Sequence, residues 1–371
     1  MTDSPLLARL PDGPLDIIGD IHGENAALEA ILHKLGQAGS GEGQPHLVFL
    51  GDLVDRGPDS IAVVDRVADL VAQGRATCVM GNHELNLLRD RERSGNGWFY
   101  GKADEAWSHA VEGHVIRGTF PSRVADEAVR QRLLAFFRTL PLAAVRDDLR
   151  IVHAAWHAPA IAALAHCADY TEALVRSEAD AGSIPADLEA RCRVEWKALK
   201  AAGIDTKNPA TPPPHVEALA TAESMGQNSH HLSVLTSGPE QVRPGLPAWR
   251  AGRWRILQRQ RWWDGPVDVP TIFGHYWRLR LASADSSRLR LFGPTEAHDW
   301  LGDHRRAFCI DFSVGRRYQS RTAAGEAPEA GFREALGALR WQGPDQPSEL
   351  WFDDRDGPVE VAPPGKSRSG G

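Results

Sequence analysis

Six residues with metal-binding side chains stand where short apolar runs of the chain end. Such runs indicate buried strands, and one of them, Leu15–Ile18, leads into Gly19-Asp20-Ile21-His22. The six candidate ligands are Asp20, His22, Asp52, Asn82, His153 and His275. Their oxygen and imidazole nitrogen donors, without thiolate, suit Mn, Fe, Zn or Mg. Six groups are too many for one four-coordinate ion but suit two ions that share a carboxylate, an arrangement that clamps and attacks phosphoryl groups.

The spacing of these residues explains how they could meet. Equal intervals separate His22 from Asp52 and Asp52 from Asn82, and each interval is long enough for a helix and a returning strand. Each right-handed crossover then brings the next ligand to the same edge of a sheet. A single Gly-Asp at a strand end is more often a turn, but a series that always ends in potential ligands indicates a site.

Helices are predicted between the early strands. From Asn25, apolar residues recur at helical spacing until Gly36 ends the helix. Pro58 is placed to open a second helix, which ends before Gly74. Alternating strands and helices predict a layered α/β sandwich, with the site beyond the carboxyl ends of the strands.

Two stretches interrupt this pattern. We predict a helical insertion at about residues 90–140 and a larger insertion, at about 157–268, that caps the site. The main domain is then expected to span residues 1–325. Residues 326–371 would form a C-terminal extension, and the tail after Gly357 is expected to be disordered.

Composition limits the classes of function. The 371 residues carry a net charge of −7, which argues against a protein devoted to nucleic acid or anionic membrane. The four cysteines are scattered, which favours a reducing compartment over a disulfide framework or a zinc knuckle. With no leader-like start and no long apolar stretch, we expect a cytoplasmic protein without a membrane partner.

Five motifs resemble those of the calcineurin-like metallophosphoesterases: GDIHG (19–23), GDLVDRG (51–57), GNHE (81–84), VHA (152–154) and FGH (273–275). Asp55-Arg56-Gly57 is similar to the phosphoprotein phosphatase branch, which includes bacterial serine/threonine phosphatases and symmetrical dinucleoside tetraphosphatases. The resemblance implies an α/β/β/α sandwich of four layers with an inserted cap region.

The resemblance also implies a role for each matching residue. The first of two divalent ions, with Mn expected, would be held by Asp20 and His22, the second by Asn82, His153 and His275, and Asp52 would bridge them.

The resemblance makes His83 the general acid that protonates the leaving oxygen, with Asp55 orienting its imidazole. Arg56 would bind the non-bridging phosphate oxygens through its planar fork. Asp311 has two open roles outside the ligand shell, namely orienting His275 or closing the sheet edge.

The substrate stays open because two motifs depart from the pattern. His153-Ala154-Ala155 stands where the branch commonly has His-Gly-Gly, and Asp311-Phe312-Ser313 stands where tetraphosphatases commonly have Asp-Thr-Gly. The run Ile272–Trp277 does resemble the tetraphosphatases.

The predicted function is hydrolysis of phosphate esters by a bridging hydroxide that attacks phosphorus in line. A protein serine/threonine phosphatase or general phosphomonoesterase is the main interpretation. A dinucleoside polyphosphate hydrolase and a catalytically silent binding module are the alternatives. The expected partner is a phosphoprotein, a small phosphoester or a nucleotide, and no dedicated nucleic-acid binding is expected.

An aromatic and basic cluster in the larger insertion has two interpretations. It contains Trp249, Trp254, Trp262 and Trp263 among six arginines between Arg243 and Arg261. These side chains could stack a nucleobase and neutralise phosphates, or the tryptophans could form the core of the insertion. His157 and the pair His230-His231 are interpreted as structural.

Overall fold

The computed structural model describes residues 4–36, 43–103, 105–111, 114–206, 208, 210–250, 253–280, 291–321 and 331–366. Within these residues two mixed β-sheets pack face to face, and helices cover their outer faces. Strands and helices are numbered separately in chain order. No helix in these ranges has the length and apolar character needed to cross a membrane.

The larger sheet has the strand order β17-β16-β15-β2-β3-β4. Its strands are β2 (Leu15–Ile18), β3 (His46–Phe49), β4 (Ala76–Cys78), β15 (Gly337–Trp341), β16 (Ser348–Phe352) and β17 (Val359–Val361). Strands β2, β3 and β4 are parallel, so their carboxyl ends meet at one edge, whereas β15 to β17 are antiparallel.

The smaller sheet has the order β1-β7-β8-β13-β14. Its strands are β1 (Leu7–Arg9), β7 (Ala143–Arg146), β8 (Leu149–Val152), β13 (Thr271–Phe273) and β14 (Ala307–Cys309). Strands β8, β13 and β14 are parallel and form the second edge from which ligand loops leave.

An apolar core fills the space between the two sheets. Ile17 and Val48 from the larger sheet share this core with Ile151 and Phe308 from the smaller one. The next residues along these strands point the other way, as Ile18 does, and join the cluster that includes the helices. The predicted sandwich of four layers is confirmed.

Nine helices lie wholly within the described ranges. They are α1 (Asn25–Lys34), α2 (Ser60–Ala72), α3 (Asn82–Leu88), α4 (Glu127–Phe137), α5 (Ala158–Leu164), α6 (Tyr170–Ala181), α7 (Ala186–Ala201), α8 (Glu217–Ser229) and α9 (His231–Ser237). Helix α1 starts at Asn25 as predicted, and Gly36 follows it with φ +76°. Helix α2 begins at Ser60 rather than at Pro58, because the Asp59 carboxylate caps it by accepting from Ala62 N at 2.9 Å.

The insertion predicted to be helical at 90–140 is helical only in part. Strands β5 (Ala106–Val111) and β6 (His114–Thr119) form an antiparallel pair, and among the described residues of this stretch only α4 and a 3₁₀ turn at Gly97–Tyr100 are helical. Trp107 packs with Phe120 and Tyr318, so a long-range apolar contact stabilises a strand pair that local periodicity did not reveal.

The predicted C-terminal extension is wrong as a separate unit. Strand β15 pairs with β2 inside the larger sheet, and the Arg340 guanidinium binds the buried Asp16 carboxylate at 2.8 and 3.0 Å. This pairing joins positions more than 300 residues apart, which no local pattern signals. Residues 357–366 lie in the described part of the chain and include β17, and the last five residues lie outside it.

The larger insertion at 157–268 contains helices α5 to α9 and two short strand pairs. The strands are β9 (Glu240–Val242), β10 (Ala248–Arg250), β11 (Arg253–Arg255) and β12 (Leu257–Arg259). Leu164 and Leu235, from α5 and α9, belong to the main apolar cluster, whereas α7 and α8 share a small separate one. That this region caps the site stays a prediction.

Candidate active site

The loops after five parallel strands meet at one point between the two sheets, where Asp52 lies at the centre. Its carboxylate oxygens are 3.6 Å from His22 Nε2, 3.4 Å from His153 Nε2 and 3.8 Å from His83 Nε2. The potential donor atoms of Asp52, His153 and His275 all lie within 4.8 Å of one another. The structure therefore brings the predicted histidine ligands together around one buried carboxylate.

Two of the imidazoles are oriented with Nδ1 towards a backbone carbonyl and Nε2 towards Asp52. His22 Nδ1 donates to Val54 O at 3.0 Å, and His153 Nδ1 donates to Leu50 O at 2.6 Å. A carbonyl oxygen can only accept, so the proton lies on Nδ1 in both rings. This second hydrogen bond is how proteins usually orient metal-binding histidines.

Two buried polar atoms at the centre lack a hydrogen bond. They are Asn82 Oδ1 and His153 Nε2. Buried polar atoms are almost always satisfied, and an ion is one of the partners that can satisfy them. The donors present therefore fit divalent cations.

Several carboxylates and imidazoles are buried together at the centre and shift one another's pKa values. Burial, together with nearby Asp311 and Asp52, raises the pKa of Asp20 well above its ordinary value. Burial would also raise the pKa of Asp52, but the His153 and His83 imidazoles hold it well below its usual range. Burial and the Arg259 charge lower the pKa of His275. Positive charge at the centre would relieve the repulsion between the carboxylates.

Asp20 lies in this group with two observed contacts. Its Oδ2 atom is 4.0 Å from His22 Nε2, and its carboxylate accepts from His275 N at 3.0 and 3.2 Å. Asp20 therefore positions the loop that carries His275, in addition to being a candidate ligand.

His83 and Asp55 form a hydrogen-bonded pair beside the centre. His83 Nδ1 bonds to Asp55 Oδ2, and the other carboxylate oxygen of Asp55 accepts from Trp98 Nε1 at 2.9 Å. His83 N donates to Asp52 Oδ1 at 3.0 Å, which fixes the start of α3 against the centre. His83, His22 and Asp52 also meet the distance condition for a metal site, so geometry alone leaves a ligand role for His83 open.

The Arg56 guanidinium contacts two imidazoles of this centre. Its two terminal nitrogens are 2.9 Å from His22 Nε2 and from His83 Nε2. The guanidinium stacks over the Trp277 ring at 4.9 Å, and the Arg316 guanidinium stacks on the same ring at 5.7 Å. Two cations and an indole thus line one side of the site.

Asp311 positions a loop rather than an imidazole. Its carboxylate accepts from Trp277 N at 2.7 Å and from Ser313 N at 2.8 Å. The predicted role of orienting the His275 ring is corrected accordingly: Asp311 holds the backbone two residues beyond His275, and Asp20 holds the His275 backbone itself.

Several functional neighbours escaped the sequence analysis. Glu84, inside the GNHE motif, accepts from the backbone N–H groups of Asp52, Leu53 and Gly81 at 2.8 to 3.0 Å, and burial raises its pKa to about 7. Gly315 lies so close to His22 that a Cβ atom there would be 2.1 Å from the ring. The Glu84 position in a motif was a usable signal, but nothing local marks Gly315.

The ligand loops adopt unusual backbone conformations. Positive φ angles occur at His22 (49°), Asp52 (47°), Asp55 (78°), Arg56 (70°) and His275 (67°). Residues other than glycine rarely adopt such angles, and they persist where the surrounding structure requires them. The strain is concentrated at the candidate site.

The tryptophan cluster divides between the two interpretations. Trp263 is fully buried and stacks with Phe273 and Phe292, which supports a role in the core. Trp262 is half-buried and donates through Nε1 to Ala154 O at 3.0 Å, one residue beyond His153. Arg259 donates to His275 O at 3.0 Å, so one arginine of this region touches a ligand loop.

Known proteins resemble part of the chain. The asymmetrical bis(5'-nucleosyl)-tetraphosphatase PrpE of Anoxybacillus flavithermus is 33% identical over 142 residues, which cover 37% of this chain and 54% of that protein. The symmetrical bis(5'-nucleosyl)-tetraphosphatase of Ralstonia nicotianae is 41% identical over 75 residues, which cover 20% and 24%. The chain thus spans about half or less of the length of these relatives.

One solved structure aligns with most of the chain, and one family model matches part of it. The cold-active protein-tyrosine phosphatase of a Shewanella species aligns with 96% of this chain and 82% of its own, at a TM-score of 0.42 and 12% identity. The sequence profile of the calcineurin-like phosphoesterase family matches residues 13–181, which include Asp20, His22, Asp52, Asn82 and His153. Residues 13–181 are therefore similar to the calcineurin-like phosphoesterase family.

Proposed function

We propose that this chain is a metal-dependent phosphohydrolase that cleaves a phosphoanhydride bond of dinucleoside polyphosphates. The observation that carries the proposal is the buried Asp52 carboxylate, which lies within 4 Å of three imidazoles from separate loops. The paired His83 and Asp55 and the adjacent Arg56 supply the other groups that phosphoryl transfer to water needs.

The proposed ligands are those that the sequence predicts, with Asp52 between two divalent ions. Asp20 and His22 belong to one ion and Asn82, His153 and His275 to the other. Two such ions, Mn²⁺ in our proposal, supply Lewis acidity, activate water at neutral pH and neutralise charge on the phosphoryl oxygens.

His83 acts on the leaving group in this proposal. Water adds to phosphorus and gives up a proton as the bond to the bridging oxygen breaks. The leaving oxygen takes a proton from His83 Nε2, and the proton that water releases restores His83. Asp55 holds the other ring nitrogen, and Trp98 holds Asp55. General acid catalysis of this kind is worth about 10² to 10⁴ in rate.

Arg56 binds the phosphoryl group. Its two terminal nitrogens contact His22 Nε2 and His83 Nε2. In the complex with substrate, the non-bridging oxygens of the phosphoryl group would take the place of these two imidazole nitrogens. A planar fork suits such oxygens better than an ammonium group does.

The proposed substrate, a dinucleoside polyphosphate, differs from the phosphoprotein or phosphomonoester of the main prediction. The relatives are named bis(5'-nucleosyl)-tetraphosphatases, which supports the dinucleotide alternative over a protein serine/threonine phosphatase. The Arg56–Trp277–Arg316 stack supports it too, since it offers two cations to a long polyphosphate and an aromatic ring beside them.

A direct comparison of substrates tests this proposal. With Mn²⁺ present, we expect kcat/KM for diadenosine tetraphosphate to exceed that for a phosphoserine peptide by about tenfold or more. The Asp52→Asn variant should lose both activities and keep its fold by circular dichroism. A preference for the peptide would support the serine/threonine phosphatase interpretation instead. Full activity of Asp52→Asn would show that the candidate active site is wrong. Product analysis separates ATP plus AMP from two ADP.

A further inference from the structure

A cavity of about 340 Å³ opens beside the segment that follows His153. The indoles of Trp156 and Trp262 line it together with Pro239 and Pro266, and Gln260 adds a polar group. Binding pockets for small molecules measure about 300–1,000 Å³, so this one has room for a single nucleoside. A small ligand with a flat apolar face fits these walls.

The charges at the cavity argue against a phosphate there. Arg150 is already paired with Asp268, since Arg150 Nη2 lies 3.3 Å from Asp268 Oδ2. The Arg150 guanidinium also stacks on the Trp156 ring at 4.7 Å. Burial and the His231 charge lower the pKa of His157, which keeps that imidazole neutral at pH 7. An uncharged heteroaromatic ring suits the site better than an anion.

The cavity is tied to the candidate active site through the chain. Trp156 follows His153 by three residues, so their Cα atoms are at most about 11 Å apart. Trp262 is fixed to the same segment by its hydrogen bond to Ala154 O at 3.0 Å. Arg150 and Thr271, which also line the cavity, lie at the amino ends of β8 and β13, so a nucleotide whose phosphates lie at Asp52 would extend along β8 to place its base near these indoles.

We propose that this cavity binds a purine base of the substrate by stacking on Trp156 and Trp262. The inference rests on the proposed hydrolysis of dinucleoside polyphosphates. It explains how the chain could select nucleotides without a base contact at the ligand loops. Base stacking on an aromatic side chain is worth about fivefold or more in affinity.

The test measures adenosine binding by calorimetry and KM for diadenosine tetraphosphate, in the full chain with Mn²⁺. The Trp156→Ala variant should raise the Kd of adenosine and this KM about fivefold or more, and Trp156→Phe should restore part of the loss. Trp196→Ala is the matched control because this indole is 54% exposed on α7; both values should stay as in the unmodified chain.

The two proposals fail in different ways. Adenosine binding that is as tight in folded Trp156→Ala as in the unmodified chain, or no adenosine binding to the unmodified chain, would overturn the base site, even if the dinucleotide is cleaved. Adenosine binding that depends on Trp156 in a chain that cleaves only phosphopeptides would support the base site and overturn the proposed substrate. Unfolding midpoints in urea confirm that each variant is folded.

Discussion

At the scale of single residues, the centre concentrates buried carboxylates, which need positive charge nearby. Asp20, Asp52 and Asp311 are all buried, and the pKa values of Asp20 and Asp311 are raised, with burial as the largest cause. Burying unpaired carboxylates is costly, whereas carboxylates that hold cations are stable. The need of these buried carboxylates for positive charge, and not only the motif, therefore connects them to metal binding.

Trp98 is predicted to act on catalysis through Asp55. The Trp98→Phe variant removes the indole N–H that donates to Asp55 Oδ1 at 2.9 Å, and so loosens the residue that orients His83. We expect kcat to fall about tenfold or more, with KM and metal content unchanged. Steady-state kinetics and elemental analysis measure these quantities.

The control for Trp98 is Trp351→Phe. That indole is half-buried, and its N–H donates to Glu349 at 3.2 Å, within the larger sheet. Its removal should leave kcat unchanged. If Trp98→Phe also leaves kcat unchanged, the proposed role of Asp55 through His83 is wrong.

The sequence predicted the candidate ligands better than their supports. His22, Asp52 and Asn82 follow strands, so strand patterning alone placed them at one sheet edge. Trp98 reaches Asp55 across 43 positions, and Gly315 reaches His22 from the far end of the chain. Such contacts depend on tertiary packing, which no short-range pattern encodes.

At the scale of elements, the 3₁₀ turn at Val314–Gln319 packs directly against a ligand loop. In Gly315→Ala the added Cβ would lie 2.1 Å from the His22 ring, which Val54 holds in place. We expect metal affinity and activity to fall about 10- to 100-fold. Isothermal titration with Mn²⁺ measures the affinity.

Gly226→Ala serves as the matched glycine variant. Gly226 lies in α8, and the atom nearest to an added Cβ is 3.8 Å away. Alanine there should be neutral or stabilise the chain by about 0.5–1 kcal/mol. Equal metal affinity in Gly315→Ala and Gly226→Ala would contradict the packing argument.

Helix α9 has a pH-sensitive start. His230 Nδ1 accepts from Ser233 N at 3.2 Å, and burial, with the Arg89 charge, lowers the pKa of His230 to about 4. Between pH 6.5 and pH 4, this histidine is protonated in the unfolded chain, where its pKa is about 6.5, but stays neutral in the folded chain. Stability is therefore present above pH 6.5 and should decline as the pH falls towards 4.

The His230→Asn variant tests this dependence. Asparagine is a good N-cap residue and does not titrate, so the variant keeps the cap and removes the proton uptake. Urea unfolding at pH 7 and pH 5 should show a smaller loss of stability in the variant than in the unmodified chain. Equal losses would place the acid sensitivity elsewhere.

At the scale of the whole molecule, the last described strands hold the sandwich together. Trp341 of β15 is fully buried between the sheets, near Trp300, and its indole N–H reaches Asp148 at 3.3 Å. Trp341→Ala should lower the free energy of unfolding by about 3–5 kcal/mol. The exposed Trp196→Ala should change it by about 0.5 kcal/mol or less. Similar values for the two would mean that β15 is not part of the core.

The sequence predicted the architecture but not its closing strands. The alternation of apolar runs with helices α1 and α2 was sufficient for the sandwich. The strands after residue 337 were interpreted as an extension because β15 finds its partner, β2, at the other end of the chain. The pair of β5 and β6 was missed for a related reason, since Trp107 gains its burial from Tyr318.

The central claim is that groups from separate loops hold a pair of cations around Asp52. Elemental analysis of active protein, repeated after chelation and dialysis, tests it most directly. We predict about two divalent ions per chain, loss of turnover on their removal and recovery with Mn²⁺, as expected for a two-metal site. Undiminished turnover in protein stripped of divalent ions would contradict the account.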